Sequence, residues 1–118
     1  MLTWKDMETL YERLEADDCI GVYIEIKQYA QHYLKDRQEC QKAVEILDQM
    51  LSVMDPCICV SEWMHGSLFT LWKTISWTYI HDMIQQLDDA FPHVAFAFGI
   101  CYPKAQEELS TLFYKCQL

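Results

Sequence analysis

The sequence predicts a mainly α fold: one compact domain over residues 1–118, built as a bundle of four to six helices, with room for one short two-stranded sheet from 20–27 and 94–101. Three observations predict it. Apolar residues recur at helical spacing in four segments, cap-like residues stand where segments begin, and prolines stand where helices should end or start. With 52% hydrophobic residues, the chain is too apolar for a disordered segment and long enough to bury one core.

The first element is an amphipathic helix. Thr3 and Asp6 have the spacing of a capping box, and Trp4, Met7, Leu10, Tyr11 and Leu14 form one apolar stripe. Glu8, Glu12 and Glu15 share another face, and Asp17 and Asp18 follow where the helix should end. Residues 19–35 carry two patterns. Val22, Ile24 and Ile26 alternate as in a half-buried strand, whereas Ile26, Tyr29, Ala30, Tyr33 and Leu34 step as in a helix. Length favours the helix.

Asp36 and Glu39 mark the next start, and Cys40, Val44, Leu47, Leu51 and Met54 form a narrow seam that ends at Asp55-Pro56. Residues 56–60 read as a connection. From Ser61 or Ser67 to Asp89 the pattern is that of the longest helix, with Leu68, Leu71, Trp72, Ile75, Tyr79, Met83 and Leu87 on one stripe. Trp77, Ile80 and Ile84 widen that stripe almost to a full circle. Pro92 to Tyr102 alternates again, with a short buried helix as the competing reading. Pro103 stands where the first turn of a last helix is expected, with Leu109, Leu112, Phe113 and Cys116 on its apolar face.

Charge is the strongest global feature. Nine basic and eighteen acidic residues give a net charge of -9, which repels nucleic acid and anionic membrane surfaces and attracts a basic partner. The acidity is concentrated: residues 1–26 hold seven acids and two bases, residues 27–60 five and four, and residues 61–118 six and three. The first twenty residues have no uninterrupted apolar run of a secretory leader, and Ser67–Ile80 is too short to span a bilayer and contains Lys73. A cytoplasmic protein is expected, with its six cysteines reduced and mostly buried.

Motifs exclude more than they identify. Gly21, Gly66 and Gly99 are too far apart for a P-loop, a dinucleotide fingerprint or a nucleophile elbow. Cys57-Ile58-Cys59 with His65 lacks a second knuckle for zinc, and Glu62-x-x-His65 is a single copy of an element that di-iron bundles need twice. A Cys–His nucleophile would draw on His32, His65, His81 or His93, and nothing ranks one cysteine above the others. Cys116-Gln117-Leu118 is one residue short of a prenylation box. No metal or cofactor is expected, and no catalytic role.

The acidic set Glu8, Glu12, Glu15, Asp17 and Asp18 is the candidate partner-binding site. Like charges at i,i+4 and at a helix C-terminus cost local stability, and a basic surface would relieve them. The expected function is a small acidic inhibitor of the immunity-protein, antitoxin or phage-encoded anti-CRISPR type, occluding a basic nuclease or other nucleic-acid-binding protein. The alternatives are a self-associating helical adaptor, for which a homodimer is the expected state, and less favoured, a Cys- or metal-dependent enzyme.

Overall fold

Strand β1 (Ile20–Ile26) lies inside the sheet, with Ile20, Val22, Ile24 and Ile26 on one face and Tyr23 on the other. A computed structural model describes residues 1–117, apart from the side chain of His32. Around β1 it places helix α1 (Trp4–Glu12), a single 3-10 turn at 16–18, and helices α2 (Tyr29–Lys35) and α3 (Arg37–Ser52). Strands β2 (Cys57–Val60) and β3 (Ser67–Trp72), helix α4 (Trp77–Ala90), strand β4 (Phe96–Cys101) and helix α5 (Leu109–Cys116) complete the order.

The four strands form one antiparallel sheet in the order β2-β3-β1-β4. From β1 onward the order is strand, helices, two strands, helix, strand, which is a split βαβ arrangement. One face carries Ile20, Val22, Ile24, Ile26, Leu68 and Trp72 against α3 (Ala43, Val44, Leu47, Leu51) and α4 (Ile80, Met83, Leu87). The other carries Tyr23, Phe69 and Leu71 against α1 (Met7) and α5 (Leu109, Leu112, Cys116). The sheet is thus a middle layer with helices on both sides.

This corrects the expectation of a mainly α helical bundle. Segments 20–27 and 94–101 do contain paired strands, but as β1 and β4 of a four-stranded sheet. The long helix from Ser61 or Ser67 to Asp89 is two elements. Strand β3 is buried on both faces, so its apolar run has no alternation to separate it from a buried helix. Helix α4 starts at Ser76, whose hydroxyl accepts from the Tyr79 amide at 3.4 Å. Trp77, Tyr79 and Ile84 are exposed, so α4 is amphipathic and not apolar all round. Residues 57–60 form a strand, and Ser61 caps no helix but accepts from the Phe69 amide at 2.9 Å. The last helix begins at Leu109, six residues beyond the expected start at Pro103.

Other expectations match. Thr3 accepts from the Asp6 amide at 3.2 Å and Asp36 from the Glu39 amide at 2.9 Å, each capping its helix. No helix among the described residues is long and apolar enough to cross a membrane. Leu118, the last residue of the incomplete prenylation box, lies outside the described residues.

The centre of the sheet holds one buried polar chain. Thr70 donates to the Val22 carbonyl at 2.8 Å and accepts from Trp72 Nε1 at 2.8 Å, and Thr70 and Trp72 are both fully buried. Thr70→Val keeps the shape but leaves the indole N–H without an acceptor, so a loss of about 1–3 kcal/mol is expected in a urea melt. A variant as stable as the parent would show that the indole finds another partner.

Candidate functional site

Three residues with left-handed backbone gather at one end of the sheet. The last residues of β1 are held from both sides: the Ile26 amide donates to the Gly66 carbonyl and the Lys27 amide to the Ala95 carbonyl, each at 2.8 Å. There Gln28 has φ 52°, His65 φ 50° and Gly66 φ 89°. Left-handed non-glycine residues cost of order 1 kcal/mol or more each, and such strain concentrates at functional sites. Gly66 is dictated twice, by its φ and by the Tyr29 ring, whose Cγ would lie 2.4 Å from an added Cβ.

The cluster is built from the β1–α2 junction and the β2–β3 hairpin. Tyr29 packs edge-on against Trp63 with ring centroids 5.3 Å apart, and Tyr33 lies 5.4 Å from Tyr29. The Arg37 guanidinium sits 5.7 Å from the Tyr33 ring, within cation–π range. Glu25 accepts from Lys27 at 3.2 Å and from the Tyr23 hydroxyl at 3.3 Å. Being solvent-exposed, the Lys27–Glu25 pair contributes at most about 1 kcal/mol. Burial, then the neighbouring Tyr33 and Cys40, pushes the Tyr29 phenol up.

At the same end, the start of α3 and the α4–β4 connection enclose a cleft of about 430 Å³ lined by Lys35, Asp36, Glu39, Cys40 and His93. This end therefore offers aromatic rings for a flat group, ammonium and imidazole groups for an anion, and carboxylates that accept N–H bonds. Among the described residues no three His, Cys, Asp or Glu side chains come together as a metal site.

The acidic set lies elsewhere. Glu8 and Glu12 are exposed on α1, Glu15 precedes the 3-10 turn, and Asp17 and Asp18 end it, directly before β1 begins. This is the opposite end of β1 from Lys27. Glu8 and Glu12 line a groove of about 490 Å³ with Tyr11, Lys104, Glu107 and Glu108, a grouping that the sequence did not reveal. Tyr11 donates to the Glu107 carbonyl at 2.8 Å. Glu107 Oε1 is buried without a well-angled hydrogen bond, yet Lys115 Nζ stands 2.8 Å away, so its charge is paired.

The remaining motifs are not assembled into sites. Cys57 and Cys59 flank a bulge in β2, and the Cys57 thiol contacts the Cys59 carbonyl at 3.7 Å. Glu62 and His65 are exposed in a hairpin, not on the helical face that a di-iron element needs. His81 and Asp82 are 3.9 Å apart and exposed. The His32 side chain lies outside the described residues.

Burial pushes the thiols of Cys57 and Cys116 up to about 12 and that of Cys59 up to about 11, and it also raises Cys19 and Cys40. These five are protonated at neutral pH, the opposite of activated nucleophiles. For Cys57, Cys59 and Cys116 the unfolded chain loses the proton near 9.0 while the folded chain keeps it to about 11 or 12. Their contribution is thus fully present below pH 9.0, and stability falls as pH rises from there towards about 12. Urea midpoints at rising pH test this. A midpoint that stays flat or rises through the window would contradict it.

Neither a family model nor a curated protein matches the sequence. Solved structures do match. A diguanylate cyclase/phosphodiesterase from Caldicellulosiruptor saccharolyticus superposes with a TM-score of 0.65 at 10% identity, over 99% of this chain and 78% of that one. The active GGEEF domain of a diguanylate cyclase from Vibrio cholerae gives 0.65 at 10%, over 97% and 82%. The FimX GGDEF domain from Pseudomonas aeruginosa gives 0.64 at 8%, over 99% and 87%. The string that the name spells, Gly-Gly-Asp-Glu-Phe, does not occur here, where all three glycines are isolated.

This likeness overturns the expected function. The occluding inhibitor of the immunity, antitoxin or anti-CRISPR type is expected from charge and missing motifs, and the helical adaptor from apolar content; an architecture shared with GGDEF domains supports neither. The expectation of no catalytic role falls too. The missing glycine-rich loops exclude two ways of holding phosphate, whereas this architecture also serves a diguanylate cyclase. At 8–10% identity the likeness is one of architecture: the chain has the α/β fold of GGDEF domains.

Proposed function

We propose that the chain is a nucleotide-handling domain of cyclic-dinucleotide signalling, taking a guanine nucleotide or its cyclic dinucleotide at the end of the sheet where the β1–α2 junction meets the β2–β3 hairpin. The observation that carries the reading is the GGDEF architecture over nearly the whole chain. The left-handed cluster at Gln28, His65 and Gly66 supports the choice of end.

Charge supports the same end. Lys27, Lys35 and Arg37 stand within eleven residues of one another, in the part of the chain that is nearly neutral, while the acidic excess lies at the opposite end of β1. A phosphate would meet these cations, and Trp63, Tyr29 and Tyr33 offer ring faces and edges to a base. The reading places the protein in the cytoplasm, where thiols stay reduced. A basic protein partner remains a separate proposal for the acidic end at Glu8, Glu12, Glu15, Asp17 and Asp18, with no inhibitory role attached.

Calorimetry with GTP, the cyclic dinucleotide and ATP tests the reading. One guanine ligand is expected to bind with salt-dependent affinity, and Lys35→Glu to weaken it about tenfold or more. Chromatography of the GTP sample with Mg2+ reads turnover in the same experiment. No binding of either guanine ligand at millimolar concentration would overturn the proposal.

A further inference from the structure

The two edges of the sheet differ. At the β2 edge the chain's own N-terminus closes the end: the Leu2 amide donates to the Val60 carbonyl and the Glu62 amide to the Leu2 carbonyl, both at 2.8 Å. A bulge between Cys57 and Cys59 disturbs the rest of that edge. Bulges and covering segments are common ways of blunting an edge against pairing. The β4 edge has neither. From Val94 to Tyr102 the chain carries no charged residue and no proline, and β4 is paired with β1 in an unbroken register.

The register shows which backbone groups point outward. The Lys27–Ala95 hydrogen bond fixes the alternation, so Ala97, Gly99 and Cys101 exchange bonds with Glu25, Tyr23 and Gly21. Phe96, Phe98 and Ile100 then direct their N–H and C=O groups away from β1, and no strand flanks that side among the described residues. All six residues of β4 are only half-buried. Phe96, Phe98 and Ile100 pack against the core cluster that includes Ile80, Met83 and Leu87 of α4, a helix whose Trp77 is 69% and Ile84 37% exposed.

We propose that two copies of the chain pair antiparallel along β4 about a two-fold axis at Phe98, joining their sheets into one. The spacing of the outward groups is self-complementary: Phe96 of each copy faces Ile100 of the other, and Phe98 faces Phe98. A two-fold interface requires such self-matching. All three outward N–H and C=O groups of each copy are satisfied, and the two Phe98 rings become cross-strand neighbours. Charge also favours a second copy meeting this edge, since a chain of net charge -9 repels itself elsewhere and this strip carries no carboxylate. Pairing uses up the open edge of both copies, so assembly stops at two. The proposal is independent of the nucleotide reading.

Sedimentation of the full chain tests it together with amide hydrogen exchange at two concentrations. A species of twice the 14.0 kDa chain mass is expected. The amides of Phe96, Phe98 and Ile100 should gain protection as it forms, while those of Ala97, Gly99 and Cys101 are protected throughout. Ile100→Pro removes one outward donor and leaves the β1 ladder intact, so it should yield a monomer with an unchanged circular dichroism spectrum. If that variant unfolds, the exchange pattern of the unmodified chain decides alone. A chain that stays monomeric at about 1 mM, where even weak pairing would register, overturns the proposal. So does a dimer whose three outward amides exchange as fast as in the monomer, or an assembly that grows beyond two.

Discussion

Changing Gly99 to alanine is expected to cost about 3 kcal/mol or more of folding stability, the upper end of what overpacking does. An added Cβ would lie 1.8 Å from the Cys116 carbonyl oxygen and 2.9 Å from its carbon. Both are backbone atoms at the end of α5, so no side-chain rotation relieves the clash. The helix must lift off β4, and with it Leu109, Leu112 and Cys116, all buried against the sheet. Gly21→Ala is the matched control. Its Cβ would meet Cys116 Sγ at 3.0 Å and Leu112 Cγ at 3.1 Å, side-chain atoms that can shift where a backbone cannot, and it should cost clearly less. Urea midpoints compare the two. A Gly99→Ala protein within about 0.5 kcal/mol of the parent would mean that α5 does not pack as described.

Truncating Phe69 to alanine should cost about 3–5 kcal/mol, the range for a large aromatic in a core. Phe69 is fully buried between the sheet and the α1/α5 layer. Its ring lies 5.2 Å from Phe113, edge to face, and 6.0 Å from Trp4. One side chain thus ties α1 and α5 to β3, and Tyr23 of β1 adds a second ring under α5, 5.7 Å from Phe113. Hydrogen exchange should show both helices losing protection together. Loss confined to β3 would mean that the two helices are held independently.

What the sequence disclosed follows from which elements keep one face in water. Helices α1 and α3 expose a polar face, so their stripes and caps at Thr3 and Asp36 were readable. Strand β3 is buried on both sides and has no such contrast, and it merged with α4 across Lys73 to Ser76. Strand β2 is short and bulged, which hid its alternation. Two glycines held unused information. Gly66, alone between apolar runs, marks a hairpin, and Gly99, alone within an alternating run, marks the close approach of another backbone.

The candidate site was less legible because it is made by tertiary placement. Nothing local in Gln28 or His65 announces a left-handed backbone, and Tyr29, Trp63 and His93 come from three separate places in the chain: the start of α2, the β2–β3 hairpin and the α4–β4 connection. The acidic set was visible in composition, but its grouping with Glu107 and Glu108 across a groove depends on where α5 begins.

The most direct test is a nuclear magnetic resonance titration of the isotope-labelled chain with GTP and with the cyclic dinucleotide. Shifts should be confined to one end of the sheet, at Lys27, Gln28, Tyr29, Lys35, Trp63, His65, Gly66 and His93. Silence at millimolar ligand, or shifts centred instead on Glu8, Glu12 and Lys104, would contradict a nucleotide site at the hairpin end.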